Sequence, residues 1–549
     1  MENNSPDCIV IGYNETPFAE YEQLIRKYGE DSETYQDLRF SFVDTEHGKL
    51  NYIDLFNHVV GRGSESERFR EFKSGDIPSL ASCYLINYLG RHGFSGANIN
   101  LFQYEKEQLA TYLAGNPLAV AITTTFYVLN EPVIEMVRFI REQNPTVKII
   151  VGGPLIANHH NRFPAEMFLF TLGEIGADIY VVESQGEQAL GQVLTALRDG
   201  GDLAQVPNIV YYDGDQPKQT ACLPENNDLD QNYLDWGHFS GVPLGATLQA
   251  RTARSCAFKC AFCAYPMRAG ALTLASLETI EKELDSAVAA GAKNLVFIDD
   301  TFNVPLPRFK DICRLMIRKK YNLNWFSYFR CSNADELAID LMAEAGCKGV
   351  FLGIESGSPT ILKGMNKAAK IDQYRKGIQR LRANGIVTFG SFITGFPGET
   401  QETIRETIDF IRETEVDYYR MQMWYCEPGT PIYNEREKYK IKGEAFNWEH
   451  ATMDSKEAMA SIEAAFLEIT ESQWLPQWSF DFWILPYFLG RGLDLDLFKE
   501  LMEGANALLR LEIAGVELEE KQDTQELILA LMEEQVKAWD MDLMKQVIA

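Results

Sequence analysis

Arg254-Ser-Cys256-Ala-Phe-Lys-Cys260-Ala-Phe-Cys263-Ala-Tyr-Pro266 decides how the chain is read. It directly follows an apolar segment of strand character that ends near Thr252. Three thiols fall within eight residues as C-x3-C-x2-C, while Cys8, Cys83, Cys222, Cys313, Cys331, Cys347 and Cys426 are scattered. Ten cysteines in 549 residues is far below the density of a secreted disulfide scaffold. Three thiolates on one tight loop suit an iron–sulfur cluster. A 4Fe–4S cube held by three ligands keeps one iron open, by the logic that separates catalytic from structural zinc sites. Zinc, the rival, wants a fourth Cys or His, and no other lies between Val242 and Ala290.

Around this loop, candidate strands end near Thr252, Asp299, Arg330, Glu355, Gly395 and Tyr425, with helical segments between them. Six such repeats are too few for an eight-fold barrel and suit a partial, open (β/α)6 barrel over 248–435. Upstream, 8–12, 118–122, 147–151 and 178–182 are short apolar runs that alternate with helical stretches. That alternation predicts a parallel α/β sheet, Rossmann-like or flavodoxin-like, over 1–211. Residues 13–76 break it and read as an insertion; the polar stretch 212–247 reads as a linker. Residues 436–549 read as mostly helical, opening with the aromatics Trp448, Trp474, Trp478, Phe480, Phe482, Trp483, Tyr487 and Phe488. At this density such aromatics fit a helical core better than a substrate box.

The net charge of −28 argues against a nucleic-acid partner, which needs clustered Lys and Arg. The start is polar and acidic, and no apolar run approaches about 20 residues, so a cytoplasmic protein without a membrane partner is expected.

C-x3-C-x2-C with Phe262 before its last Cys resembles the signature of the radical S-adenosylmethionine (SAM) enzymes. Phe297-Ile-Asp-Asp300-Thr-Phe302, Gly353-Ile-Glu355-Ser-Gly-Ser358, Gly395-Phe-Pro-Gly-Glu-Thr400 and Glu427-Pro-Gly-Thr-Pro-Ile-Tyr433 resemble later strand ends of that family. The resemblance implies that Cys256, Cys260 and Cys263 hold a 4Fe–4S cluster whose open iron takes the amino acid part of SAM. It implies SAM contacts for Phe262, Asp300, Arg330, Glu355, Ser356 and Gly395.

The upstream sheet resembles the cobalamin-binding domain that precedes many radical SAM modules. The residues that carry this are Gly12, Tyr13 and Asn14, Thr123, Thr124 and Thr125, Gly152, Gly153 and Pro154, and Gly186 and Glu187. A G-x-G-x-x-G fingerprint is missing, which disfavours a dinucleotide. The cobalt-ligating D-x-H-x-x-G motif of other cobalamin proteins is also missing, since Asp44-Thr-Glu-His47-Gly48 has the wrong spacing. No His of that motif is therefore expected on cobalt, and His159 and His160 read as loop residues.

The combination is similar to the cobalamin-dependent (class B) radical SAM methyltransferases. It is most like the phosphinothricin-pathway P-methyltransferase branch, and more loosely like the thiostrepton-pathway tryptophan C-methyltransferase. The resemblance implies methyl transfer from one SAM, through cobalamin, to an unactivated carbon or phosphinate phosphorus of a small or carrier-bound specialised metabolite. A second SAM supplies the radical, and a reductase, ferredoxin or flavodoxin supplies electrons. Cys331, Tyr425 and Cys426 are weak catalytic candidates beside the expected cavity. Two readings stay open beside this one: a non-methylating rearrangement or cyclisation enzyme with the same cofactors, and a non-catalytic corrinoid or iron–sulfur protein.

Overall fold

A computed structural model describes residues 5–64, 71–73, 76–183, 185–240, 242–478, 484–516 and 518–548. The chain divides into two compact units: residues 1–16, 75–244 and 268–290, and residues 17–74, 245–267 and 291–549.

The first unit is built on seven strands: β1 (Cys8–Tyr13), β2 (Gly96–Leu101), β3 (Ala119–Thr123), β4 (Lys148–Gly152), β5 (Ile179–Val181), β6 (Ile209–Asp213) and β7 (Gln216–Gln219). They lie in the order β2-β1-β3-β4-β5-β6-β7, parallel through β5 and antiparallel beyond it. Helices α1 (Leu80–Arg91), α2 (Glu131–Gln143), α3 (Pro154–Arg162) and α4 (Glu187–Asp199) follow the parallel strands or precede them. Ile9, Ile11, Val120, Ile122, Ile149 and Val151 fill the core. Strands covered on both faces need such near-continuous apolar runs, which is why their sequences stand out. Edge strand β2, Gly-Ala-Asn-Ile-Asn-Leu, alternates with polar residues and lacks that signal.

Two expectations change. Residues 212–219 are not linker: they complete the β6–β7 hairpin around a two-residue turn, where Gly214 takes φ +61°. Residues 220–244 of the polar stretch belong to the first unit. Glu225 accepts hydrogen bonds from the Gln188 and Ala189 amides at the start of α4, at 2.9 and 2.8 Å, and Leu229 and Leu234 are buried. Residues 17–74 are not an insertion into the first unit; they belong to the second. There Tyr52 donates to Asn506 Oδ1 at 2.6 Å, Trp474 donates to the Phe40 carbonyl at 3.1 Å, and Phe56 packs on Phe488. An amphipathic segment follows the apolar partner that covers it, whatever the sequence distance.

The second unit has seven parallel strands in chain order: β8 (Thr247–Ala250), β9 (Asn294–Phe297), β10 (Asn324–Phe329), β11 (Cys347–Glu355), β12 (Val387–Thr394), β13 (Tyr418–Met423) and the short β14 (Gln473–Trp474). The seventh, two residues long, lies outside the six repeats the spacing predicts. Helices α5 (Pro359–Gly364), α6 (Ile371–Ala383) and α7 (Gln401–Thr414) connect the later strands. Two C-terminal helices, α8 (Ile484–Arg491) and α9 (Leu495–Ile513), pack at the amino ends of the strands. The Thr247 hydroxyl donates to the Pro486 carbonyl at 2.7 Å, and Phe498 meets Tyr418 edge-on. Trp474, Tyr487 and Phe488 are buried in this packing, whereas Trp448 is buried on a short strand (Asn447–His450) against Trp424 and Gly395. Phe480, Phe482 and Trp483 lie outside the described residues. Among the described residues no helix is long and apolar enough to cross a membrane.

Candidate active site

The cysteine loop leaves the carboxyl end of β8. Its entry is fixed by Asp299, whose buried carboxylate accepts from the Thr252 and Ala253 amides at 2.6 and 3.0 Å and from the Thr252 hydroxyl. Ser255 turns the chain with φ +72°. Cys260 is buried, Cys256 and Cys263 are half-buried, and the Cys263 amide donates to the Cys260 carbonyl at 3.2 Å. Cys256 Sγ lies 3.6 Å from the Thr301 hydroxyl. Burial pushes the Cys263 thiol up, and repulsion from Cys260, Asp300 and Cys256 adds to it. The three thiols thus share one loop and sense one another. Among the described residues no three His, Cys, Asp or Glu side chains already form a metal cage. The donor set still suits iron: three soft sulfurs on one loop, with no fourth ligand competing.

Two side chains near this loop, Arg330 and Glu355, are each held at one end and open at the other; a third, Asp300, acts on the Cys263 thiol through its charge. Arg330, past β10, donates through Nε to Ser332 at 3.1 Å and lays its guanidinium 3.6 Å from the Phe258 ring centre. Its Nη2 is buried without a hydrogen-bond partner. Orphaned buried donors are rare and point to a missing acceptor. Glu355, at the end of β11, is buried and sits at φ +71°, a conformation costing a non-glycine residue of order 1–3 kcal/mol. Its Oε1 takes the Lys367 ammonium at 2.7 Å. Asp300 stands in a concavity that water reaches but protein atoms crowd. That crowding, then the neighbouring Asp299, raises its carboxyl to about 7.

Other candidates turn elsewhere. The Ser356 hydroxyl is fully buried against Thr407 at 3.2 Å and accepts the Ser358 amide, so it braces α7. Gly395, at φ +86°, has no room for a side chain: a Cβ would lie 2.4 Å from Trp448. Cys331 is packed against Gly377 and Cys426 is buried beside Gly443, and burial pushes both thiols up to about 12. Both belong to the packed core. Tyr425 is 46% exposed, edge-on to Phe446. Lys367, Phe258 and Tyr374, whose hydroxyl donates to the Gly353 carbonyl at 3.0 Å, escape a reading by motif because no fixed spacing marks them.

In the first unit the loops after β1, β3 and β4 and the loop before α4 meet at one carboxyl edge of the sheet, the usual ligand side of such folds. Most of their marked residues serve the chain itself. Thr123 donates to the Ile11 and Gly12 carbonyls, and Thr124 to the Gly152 carbonyl at 2.9 Å. A Cβ on Gly12 would strike Ser79 at 2.6 Å, and one on Gly153 would strike Thr124 at 2.8 Å. Asn14 is held by Tyr127, Gln103 and Glu135, and Glu187 accepts from Asn227 at 2.8 Å. What this edge leaves exposed includes Thr125, Phe126, Val128 and Pro154, with Phe126 edge-on to Tyr13. His159 bonds Asn130 at 2.8 Å and stacks on Phe163, and His160 bonds Gln219 at 2.9 Å.

With this geometry in hand, residues 251–411 match the family model of the Radical SAM superfamily, and this segment is a radical SAM domain. An uncharacterized methyltransferase of Pyrococcus horikoshii is 28% identical over 328 residues, 58% of this chain and 69% of that protein. The anaerobic magnesium-protoporphyrin IX monomethyl ester cyclase of Rubrivivax gelatinosus is 26% identical over 388 residues, 66% and 67% of the two chains. The structure of the cobalamin-dependent S-adenosylmethionine radical enzyme OxsB, with aqua-cobalamin and S-adenosylmethionine bound, matches with a TM-score of 0.58 and 14% identity, covering 100% of this chain and 82% of that one. At that identity the likeness is one of fold.

Proposed function

We propose that the protein is a cobalamin-dependent radical SAM methyltransferase. It acts on an unactivated carbon or phosphinate phosphorus of a small or carrier-bound metabolite. The observation that carries this reading is a pairing within one chain: a three-thiol loop beside an orphaned buried guanidinium in one unit, and a parallel sheet in the other whose carboxyl edge presents Phe126 and Val128. The methyltransferase relative and the fold shared with OxsB support it.

Cys256, Cys260 and Cys263 would hold the 4Fe–4S cluster. Phe262, Asp300, Arg330 and Glu355 would hold SAM, and the carboxyl-edge loops of the first unit would hold cobalamin. When bound, these groups supply electron transfer, a radical and a methyl carrier. The chain's own part is to bind, orient and exclude water. Arg330 offers Nη2 to an anion, because Nε and the guanidinium face are already committed. Asp300 accepts a hydrogen bond in either protonation state near neutrality. Tyr328 and Phe351 meet edge-on at 5.3 Å on neighbouring strands.

The test is anaerobic reconstitution with iron, sulfide and hydroxocobalamin, followed by turnover with SAM and candidate acceptors. A product heavier by one methylene with S-adenosylhomocysteine is expected. The likeness to the cyclase favours a second reading, ring formation, whose product would carry no added carbon. Intact SAM with every acceptor, under reduction, would count against both.

The protein supplies no histidine in a cobalt-ligating pattern, and His159 and His160 are already bonded within the first unit. The cob(II)alamin form should show no nitrogen superhyperfine splitting in its electron paramagnetic resonance spectrum. Such splitting would overturn this assignment.

A further inference from the structure

We infer that Lys367 is a positioning residue, one that keeps Glu355 aimed and ties it to the cysteine loop. The inference rests on the proposed function, in which Glu355 contacts SAM.

Lys367 and Glu355 form an ion pair with both side chains under 10% exposed: 8% and 9%, with Nζ to Oε1 at 2.7 Å. A buried ammonium is tolerated only when paired, and a buried carboxylate only when its charge is met. The pair takes just one carboxylate oxygen. Oε2 of Glu355 accepts no hydrogen bond from the described residues, so the group is anchored at one end and open at the other. The backbone adds to this aim, because Glu355 is held at φ +71° beside Gly353, where a Cβ would strike its Oε1 at 2.6 Å and Nζ of Lys367 at 3.2 Å.

The other side of Lys367 faces the loop. Nζ stands 5.5 Å from the centre of the Phe262 ring, between the second and third cysteines. The two residues before it grip the same loop from outside: the Met365 carbonyl accepts the Ala261 amide at 2.8 Å, and Asn366 donates to the Lys259 carbonyl at 2.7 Å. One short segment, 365–367, therefore touches the loop three times and Glu355 once. Lys367 thus joins the loop to Glu355 by direct contact with each.

The experiment compares reconstituted wild type with Lys367→Met, Lys367→Arg, Glu355→Gln and the double variant Lys367→Met/Glu355→Gln. Iron content, SAM affinity by calorimetry, and the change in the reduced-cluster resonance spectrum on adding SAM are read for each. Wild-type iron, SAM binding weakened about tenfold or more in Lys367→Met, and a diminished SAM-induced spectral change are expected. Lys367→Arg should restore most of both. The double variant should be no worse than Glu355→Gln alone, because Lys367 acts through Glu355. Wild-type affinity in Lys367→Met, additive losses in the double variant, or iron loss in both Lys367→Met and the double variant would each overturn the inference. The double variant leaves no unpaired buried charge, so it remains informative if Lys367→Met alone does not fold. Failure of wild type itself to bind iron or SAM would instead overturn the proposed function.

Discussion

The carboxyl ends of the two sheets carry candidate residues of similar kind but use them in opposite ways. In the second unit, charged side chains are anchored at one end and left open at the other, as in Arg330 Nη2. In the first unit, the marked threonines, glycines, Asn14 and Glu187 are consumed by bonds and contacts within the chain. Open charged groups make a site that recognises a ligand by charge. Spent polar groups make a site that recognises one by shape, with backbone and a few apolar side chains at its surface. Mutational sensitivity should divide the same way.

The sharpest break is at the cysteines. Changing Cys256, Cys260 or Cys263 to Ala should remove nearly all iron while bound corrinoid stays near wild type, measured by iron and corrinoid assay of the anaerobically reconstituted protein. Joint loss of both would mean that the two sites are not separate.

Arg330 comes next. Arg330→Met keeps the stacking bulk over Phe258 and deletes the free donors. SAM affinity should fall by about tenfold or more, the order expected for one charge-assisted hydrogen bond, with iron retained. Unchanged affinity would show that Nη2 is an internal orphan and not a ligand donor. The matching change in the first unit is Gly153→Ala. At φ +112°, with Thr124 Oγ1 2.8 Å from the new Cβ, it should cost about 1–3 kcal/mol of stability. Thermal melting of the apoprotein checks this. Normal melting with impaired corrinoid binding would move Gly153 from the packing class to the ligand class.

What the sequence made legible follows the same division. The parallel strands were readable because both faces are covered, and β1, β3 and β4 each carry a continuous apolar run. The cysteine loop was readable because metal chemistry fixes its spacing. Edge strand β2 and the β6–β7 hairpin were not, because polar residues interrupt their apolar ones. The allegiance of residues 17–74 was hidden because it depends on partners such as Asn506, over 450 residues away, and no local pattern records that. Ser356, Cys331 and Cys426 sat at promising positions, but a motif names a residue without saying which way its side chain turns. Lys367 was invisible for the converse reason: its role comes from two neighbours that meet only in the fold.

Glu399 refines the division, since it is a spent carboxyl inside the unit of open ones. It is 1% exposed and accepts the Gly395 amide at 2.5 Å, and burial raises its carboxyl to about 8 in spite of hydrogen bonds from the Gly395 and Phe396 backbone. The folded protein therefore keeps a proton here that the unfolded chain releases near pH 4.5. The sign follows directly. A carboxyl raised on folding contributes its full stability below the unfolded value and loses it as pH rises through the folded one, by at most about 1.4 kcal/mol per pH unit. Glu399→Gln keeps an acceptor for the Gly395 amide and has no proton to lose. Its stability relative to wild type should thus improve steadily between about pH 5 and pH 8 and level off above, as read from denaturation midpoints across that range. A flat difference would mean the Gly395 loop admits water and Glu399 ionises in place. That carboxyl would then belong with the open groups of Arg330 and Glu355.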